Sequence, residues 1–209
     1  MPTNFHPKSD DKGKPVALRK PSQPTPLSSW QQPGTFSIVV PCGELPAELN
    51  GIPLRSWLDA PQSIAAWNAV AGQAEIGEPA FSPPNGKAEA AGLIIEESDG
   101  RIWQVAPSNG YGGYTATFPK GRVEHGINRQ ASAIKEAWEE TGLKAEITGF
   151  VADSVRSLTY TRYYRARRVG GNPADMGWES QAVMLVPKSQ LGQFLTNAND
   201  LPLLEALIA

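Results

Sequence analysis

The sequence predicts a mixed α/β (α+β) domain that follows an N-terminal extension. Two observations indicate this class. Short apolar or alternating runs, typical of strands, recur through residues 91–186. One longer stretch, Asn128 to Thr141, has the spacing of an amphipathic helix, with Ala131, Ile134 and Trp138 on one apolar stripe.

The length and composition of the chain argue against several classes of function. At 209 residues the chain is long enough for one well-buried domain plus extensions. Its formal net charge of -2 argues against a nucleic-acid-binding surface, which usually needs a basic face. No apolar run approaches the roughly 20 residues of a membrane span. The single cysteine, Cys42, cannot form an internal disulfide and is typical of a reducing compartment. We therefore expect a cytoplasmic protein with a small-molecule partner and no nucleic-acid or membrane partner, and homodimer formation is left open.

Proline and polar residues divide the chain into three parts. Residues 1–29 are polar and repeatedly interrupted by proline, so they are predicted to be a disordered tail that buries too little apolar surface to offset the entropy of ordering. Residues 30–85 are a predicted extension and linker that pack on the core, with a strand at Phe36–Val40 and a helix at Ser63–Val70. They could supply a wall for substrate, a dimer contact or packing alone. Residues 86–209 are the predicted main domain.

The main domain begins with a predicted hairpin. Asp99-Gly100 is a strong turn signal between the runs Ala91–Ile95 and Arg101–Ala106. A glycine-rich loop follows at residues 109–114. Further strands and helical turns are predicted at Ala145–Val151, Leu158–Arg165, Ala182–Val186, from Gln190 onwards, and at Leu201–Ile208.

Three carboxylates crowd the last turns of the predicted helix at Asn128–Thr141. Glu136 and Glu140 are four residues apart and share one face, with Glu139 beside them. They repel one another, and the negative end of the helix dipole adds to the repulsion. Mg²⁺, which prefers carboxylate and water oxygens, would relieve it. From the residues alone, a metal site and a solvated acidic face remain equally open.

The residues around the helix resemble the Nudix box. Gly121 stands ahead of the helix at the family's spacing, and the helix ends in Glu-Glu-Thr-Gly-Leu. The resemblance covers about residues 88–204. The positions that match in register are Gly121, Glu136, Ala137, Glu139, Glu140, Gly142 and Leu143.

The resemblance implies a fold, a reaction and a set of site residues. The fold would be a Nudix-type mixed β-sheet sandwiched between helices. The reaction would be attack of water on a diphosphate linkage, with Mg²⁺ or Mn²⁺ as cofactor. Glu136, Glu139 and Glu140 would be the metal ligands and catalytic residues. Glu179 is the candidate for a further base or ligand, although a plain surface glutamate is nearly as good a reading.

Two positions depart from the family pattern. Ile127 stands where the family usually has glutamate, and Lys135 where it usually has arginine. In the family these two side chains tend to pair and brace the loop against the helix. We therefore expect this salt bridge to be missing, with Ile127 packed in its place. Lys135 keeps the positive charge without the bidentate geometry of arginine.

Four further residues are candidates for substrate binding. Lys120 and Arg122 flank the candidate site and could contact phosphate oxygens. Tyr160 lies near a tyrosine position of the dinucleoside polyphosphate branch, where it could stack on a base, and Arg162 could line a nucleotide cleft. A half-buried strand would carry a tyrosine in any case.

These residues lead to one main hypothesis and two alternatives. The main hypothesis is an Mg²⁺-dependent hydrolase of a nucleoside or dinucleoside polyphosphate, or of a diphosphoinositol-like substrate. The first alternative is a nucleoside diphosphate-sugar or ADP-ribose-type pyrophosphatase. The second is a catalytically weak Nudix module that binds nucleotide or protein.

Overall fold

The computed structural model describes residues 4–18, 20–108 and 115–208, and its α+β architecture confirms the predicted class. The predicted glycine-rich loop at residues 109–114 lies outside the described residues. The strands are β1 (Asn4–Phe5), β2 (Ala17–Leu18), β3 (Ser37–Val39), β4 (Glu48–Leu49), β5 (Ile52–Pro53), β6 (Ala88–Glu96), β7 (Arg101–Pro107), β8 (Lys120–Arg122), β9 (Leu143–Val155), β10 (Thr159–Gly171) and β11 (Ser180–Pro187). The α-helices are α1 (Ile64–Asn68), α2 (Arg129–Thr141), α3 (Leu191–Phe194) and α4 (Leu201–Ile208).

A mixed sheet of seven strands forms the centre of the molecule. Its order is β3-β11-β7-β6-β10-β9, and β8 pairs with β6 beside this path. β6 and β10 run parallel, whereas the other pairs in the sheet are antiparallel. β1–β2 and β4–β5 form two separate short antiparallel ladders.

β6 and β7 separate directly after their turn, and β8 enters the opening between them. Gly100 takes a positive φ of 83°, which permits the tight turn. The two strands then pair only at Glu96 and Ile102. Further along, β8 pairs with residues Ala90–Gly92 of β6 instead of β7. Because of this exchange, Lys120 at the start of β8 lies inside the sheet, close to α2.

Two apolar cores lie on opposite faces of the sheet. Successive residues of a strand point to opposite faces, and in β7 Ile102 belongs to one core and Trp103 to the other. The core around Trp103 contains the inner side of α2 and apolar residues of the extension, whereas the other contains leucines of α3 and α4. Helices therefore cover the sheet on both sides, as the resemblance implied.

Three buried arginines of the sheet bind the backbone of the extension. Each guanidinium donates a hydrogen bond to a main-chain carbonyl oxygen in residues 30–85, which orders a segment that has little regular secondary structure of its own. The bonds join Arg101 to Trp30 (2.7 Å), Arg162 to Pro79 (2.9 Å) and Arg168 to Leu49 (2.8 Å).

Arg168 also forms an ion pair in the interior. Its guanidinium contacts the Glu97 carboxylate, and both side chains are shielded from solvent. Glu97 accepts a second hydrogen bond from the indole N–H of Trp103 at 2.8 Å. A buried charge of this kind is tolerated because it is paired and hydrogen-bonded.

The described residues before position 30 carry more structure than the disordered tail expected from their composition. β1 pairs with β2, and a 3-10 helix spans Leu27–Gln31. Lys8 Nζ donates to the main-chain oxygen of Asp175, and the indole N–H of Trp178 donates to Asp11 Oδ1 at 3.1 Å. The composition of these residues predicts only how much apolar surface they can bury. It does not predict polar contacts with a distant part of the chain.

Across the described residues, no helix combines the length and apolar character needed to cross a bilayer. The cytoplasmic location stays a prediction.

We expect Arg168→Met to lower the free energy of unfolding by about 3–5 kcal/mol, because it leaves the Glu97 carboxylate buried without its counter-ion. Arg167→Met is the matched control, since the neighbouring Arg167 side chain is 65% exposed and its pair with Glu146 lies at the surface. The control should change stability by no more than about 1 kcal/mol. Urea unfolding of both variants measures the difference, and equal losses would contradict the role given to Arg168.

Candidate active site

α2 begins and ends at the residues that the sequence predicts. The Asn128 side chain accepts a hydrogen bond from the N–H of Ala131 at 2.9 Å, and Gly142 ends the helix with a φ of 69°. Asn68 of α1 secures the loop before the helix. Its side chain donates to the Gly126 carbonyl oxygen at 2.7 Å and accepts from the Asn128 N–H at 2.9 Å. The extension therefore helps to position the start of α2.

The Glu136 carboxylate lies directly against Gly121. A Cβ atom at position 121 would stand 2.0 Å from Glu136 Oε2 and 2.1 Å from Glu136 Cδ. Any side chain at this position would displace the carboxylate. Burial, together with the negative charges of Glu140 and Glu139, raises the pKa of Glu136 to about 9. The Glu136 carboxylate thus occupies the space that a side chain at position 121 would need.

Glu140 is buried and bound to the backbone of β8. Its Oε2 accepts a hydrogen bond from the Lys120 N–H at 2.9 Å. Burial raises the pKa of Glu140 to about 7, although the Lys120 charge and this hydrogen bond act in the opposite direction. The bond fixes one carboxylate of the cluster relative to the sheet.

Lys135 braces the loop against the helix. Its Nζ lies 2.8 Å from Glu124 Oε1 and 2.7 Å from Glu139 Oε2. Burial lowers the pKa of Lys135, but hydrogen bonds to the two carboxylates raise it overall. The prediction that the loop–helix salt bridge is missing is therefore wrong, because Glu124 supplies the carboxylate. The expected packing of Ile127 is confirmed, since its side chain is buried in the apolar core.

Two cavities meet at the carboxylates. The larger, of about 870 Å³, lies between α2, residues 175–179 and the N-terminal parts of the chain. The smaller, of about 470 Å³, lies between β8 and the turn that joins β9 to β10. Glu136, Glu140 and Glu179 line both, so they stand where the two spaces join. The sequence-predicted residues that line one or both cavities are Glu136, Glu139, Glu140, Glu179, Lys120 and Arg122.

Arg162 and Tyr160 line neither of these cavities. The Arg162 guanidinium is fully buried and bound to Glu78 at 2.9 Å and to Asp153 at 2.8 Å. The Tyr160 ring stacks on Phe81, with centroids 5.0 Å apart. The linker before β6 thus covers the face of β10 that was expected to face nucleotide, and the geometry gives no support to a substrate-binding role for either residue.

Arg156 is a cavity residue that the sequence did not indicate. It lines the smaller cavity, and its Nη2 donates to Asp200 Oδ1 at 2.6 Å and to the Tyr163 hydroxyl at 2.8 Å. Asp200 directly precedes α4 and is completely buried. No motif joins two residues so far apart in the chain, so only the tertiary structure shows this pair.

The carboxylates supply oxygen donors of the kind that bind a divalent cation. Among the residues described, no three or more His, Cys, Asp or Glu side chains form a preformed metal-binding group. Glu139 is turned toward Lys135, and Glu140 toward the Lys120 N–H. The donor chemistry nevertheless fits a hard cation, because Mg²⁺ prefers carboxylate oxygens and Glu136, Glu139 and Glu140 all line the larger cavity.

The domain is a mixed sheet between helices. Its candidate site consists of a loop containing Gly121 that packs against a helix carrying three glutamates. The family model described as NUDIX domain matches residues 86–207. The chain therefore belongs to the Nudix family, and the predicted family is confirmed.

Individual relatives agree with this assignment. The chain is 33% identical over 129 residues to a protein named MutT4 from Mycobacterium tuberculosis, a match of 56% of this chain and 52% of the relative. It is 31% identical over 94 residues to an RNA pyrophosphohydrolase from Aeromonas hydrophila, a match of 45% of this chain and 52% of the relative. The chain thus spans about half the length of these two relatives. A crystal structure of a NUDIX hydrolase from Nitrosomonas europaea superposes with a TM-score of 0.50 at 19% identity, covering 60% of this chain and 72% of that chain, which supports the fold.

We expect Gly121→Ala to destabilise the protein by about 1–3 kcal/mol, because the new methyl group must displace the Glu136 carboxylate or the β8 backbone. Gly149→Ala is the control, since a Cβ at this position of β9 meets no atom within 4 Å. Thermal unfolding of both variants provides the comparison. If Gly121→Ala is as stable as Gly149→Ala, the contact with Glu136 does not limit the approach of the loop.

Proposed function

We propose that the chain is a divalent-metal-dependent hydrolase that cleaves a phosphoanhydride bond in a nucleoside or dinucleoside polyphosphate. One observation carries the proposal: Glu136, Glu139 and Glu140 line a large cavity, and a smaller cavity containing Lys120 and Arg122 opens beside them. Negative groups that suit a cation thus lie next to positive groups that suit phosphate oxygens. Membership of the Nudix family supports this reading.

Each group would have a distinct role. Glu136, Glu139 and Glu140 would hold Mg²⁺ or Mn²⁺, which when bound polarises phosphate and lowers the pKa of attacking water. Glu179 is exposed where the two cavities join, so its carboxylate can accept a proton from water. Lys120 and Arg122 would bind phosphate oxygens and orient the substrate.

The shape of the site favours an elongated substrate. Spaces of about 870 and 470 Å³ lie on either side of the carboxylates, so groups attached to both ends of a diphosphate could be accommodated. A nucleoside or dinucleoside polyphosphate has such a shape. Diphosphoinositol-like compounds, sugar nucleotides and ADP-ribose share the linkage and belong in the same substrate panel.

A catalytically weak nucleotide-binding module is the second candidate. It is favoured by the contacts of Lys135, which holds Glu139 at 2.7 Å, and by the lack of a preformed metal-binding group among the described residues. In that case Lys120 and Arg122 would bind phosphate without turnover.

Hydrolysis assays with Mg²⁺ or Mn²⁺ distinguish the two candidates. The panel contains diadenosine polyphosphates, ADP-ribose, a sugar nucleotide, a diphosphoinositol polyphosphate and nucleoside triphosphates. We expect release of a nucleoside phosphate, and we expect Glu140→Gln to lower kcat by more than about 100-fold, because the loss of even an outer-shell partner of a metal costs up to about that factor.

Glu205→Gln is the control for this substitution. Glu205 is an exposed glutamate on α4, outside both cavities, so its neutralisation should leave kcat unchanged. If no member of the panel is cleaved while nucleotide still binds, the hydrolase proposal fails and the binding module is supported.

A further inference from the structure

The six tryptophans of the chain fall into two groups. Three of them are buried in the core. The other three are half-buried, and all of these line the larger cavity beside the carboxylates. The buried group is Trp30, Trp67 and Trp103, and the cavity group is Trp57, Trp138 and Trp178. Trp57 and Trp138 pack against the apolar core with part of their surface, and Lys144 Nζ lies 4.8 Å from the centroid of the Trp57 ring. All three indole rings still border the open space, so a flat ligand in the cavity could contact them.

The cavity tryptophans come from three separate parts of the chain. Trp57 belongs to the extension, outside the residues matched by the Nudix family. Trp138 lies on α2 directly before Glu139, and Trp178 directly precedes Glu179. The aromatic surface is thus adjacent to the carboxylates along the chain as well as in space. Leu58 adds an apolar side chain that is 92% exposed.

The rings are held in place before any ligand arrives. The Trp57 ring meets Trp67 and Trp138 edge to face, with centroids 6.0 and 6.1 Å apart. The Trp178 indole N–H donates to Asp11 Oδ1 at 3.1 Å. Rings fixed in this way lose little conformational freedom on binding, which favours affinity for a flat partner.

We propose that the larger cavity binds the nucleobase of the substrate and that the extension supplies part of this base-binding subsite. Nucleobases stack on aromatic side chains, and the strength of stacking depends little on which base is present. Polar groups at the same cavity, among them Asp11 and Gln62, are suited to the edge of a base. The volume of about 870 Å³ is within the range of small-molecule sites. The proposal rests on the proposed function for the position of the phosphates, which would lie at the carboxylates.

The subsite is tested by equilibrium binding of two ligands of matched phosphate charge. AMP contains a base, whereas ribose 5-phosphate does not. With the full chain and Mg²⁺, we expect calorimetry to show that AMP binds at least roughly tenfold more tightly than ribose 5-phosphate. We also expect AMP, but not ribose 5-phosphate, to quench tryptophan fluorescence. Equal affinities for the two ligands would overturn the subsite.

Variants of cavity residues show whether the base of AMP binds in the larger cavity. Trp178→Ala should weaken AMP binding by roughly 5- to 100-fold through loss of stacking, and Leu58→Ala by roughly 3- to 10-fold through loss of apolar contact. Both variants should leave ribose 5-phosphate binding unchanged. Leu58 is almost fully exposed, so its substitution keeps the test valid even if Trp178→Ala disturbs folding. Leu201→Ala is the matched control, because Leu201 is an exposed leucine at the start of α4 that lines neither cavity. If Leu58→Ala and Leu201→Ala bind AMP equally well, the base does not occupy this cavity.

The two proposals fail in different ways. Preferential binding of AMP that depends on Leu58, without hydrolysis of any substrate, would leave the subsite intact and reject the hydrolase. Hydrolysis of nucleotides without preference for AMP over ribose 5-phosphate would support the hydrolase and reject the subsite.

Discussion

The approach of Gly121 to the Glu136 carboxylate is the contact on which the geometry of the site depends. Because position 121 has no side chain, β8 can lie close enough to α2 for the Lys120 N–H to reach Glu140. The same approach places Glu124 within reach of Lys135, so the loop is fixed at both ends. β8 can enter the sheet here only because β6 and β7 separate after a single pair. A shift of the β8 backbone would therefore change the contacts of Glu140 and Lys135 at the same time.

The extension contributes to the site as well as to the core. Asn68 binds the loop at Gly126 and the first residue of the helix cap, Asn128. Trp57 forms one wall of the larger cavity. A segment with very little secondary structure can do this because its carbonyl oxygens are bound by buried guanidinium groups. The carboxylates thus lie within the family match, whereas the cavity next to them is lined partly by residues outside that match.

The sequence was informative where structure is decided locally. Asn128 and Gly142 predicted the ends of α2, because capping depends on residues a few positions apart. It was less informative where distant segments meet. Arg162 was expected to face nucleotide, but the linker residue Glu78 pairs with it across 84 positions of the chain. The brace formed by Lys135 was missed for a related reason: a fixed motif spacing names Ile127 as the partner, whereas the loop conformation presents Glu124. The periodicity of apolar residues shows which face of a strand or helix is apolar. It does not show which distant segment packs against that face.

The hydrogen bonds of the buried arginines show that the boundary of the family match differs from the boundary of the packed structure. By similarity, the family domain begins at residue 86. Physically, Arg101, Arg162 and Arg168 depend on carbonyl oxygens that lie before that point, and a guanidinium that loses its acceptor in an apolar interior is costly. We therefore expect the cooperative folding unit to extend beyond the residues of the family match. A fragment containing residues 86–207 alone would lack these carbonyl partners, so we expect the domain and its extension to unfold as one body.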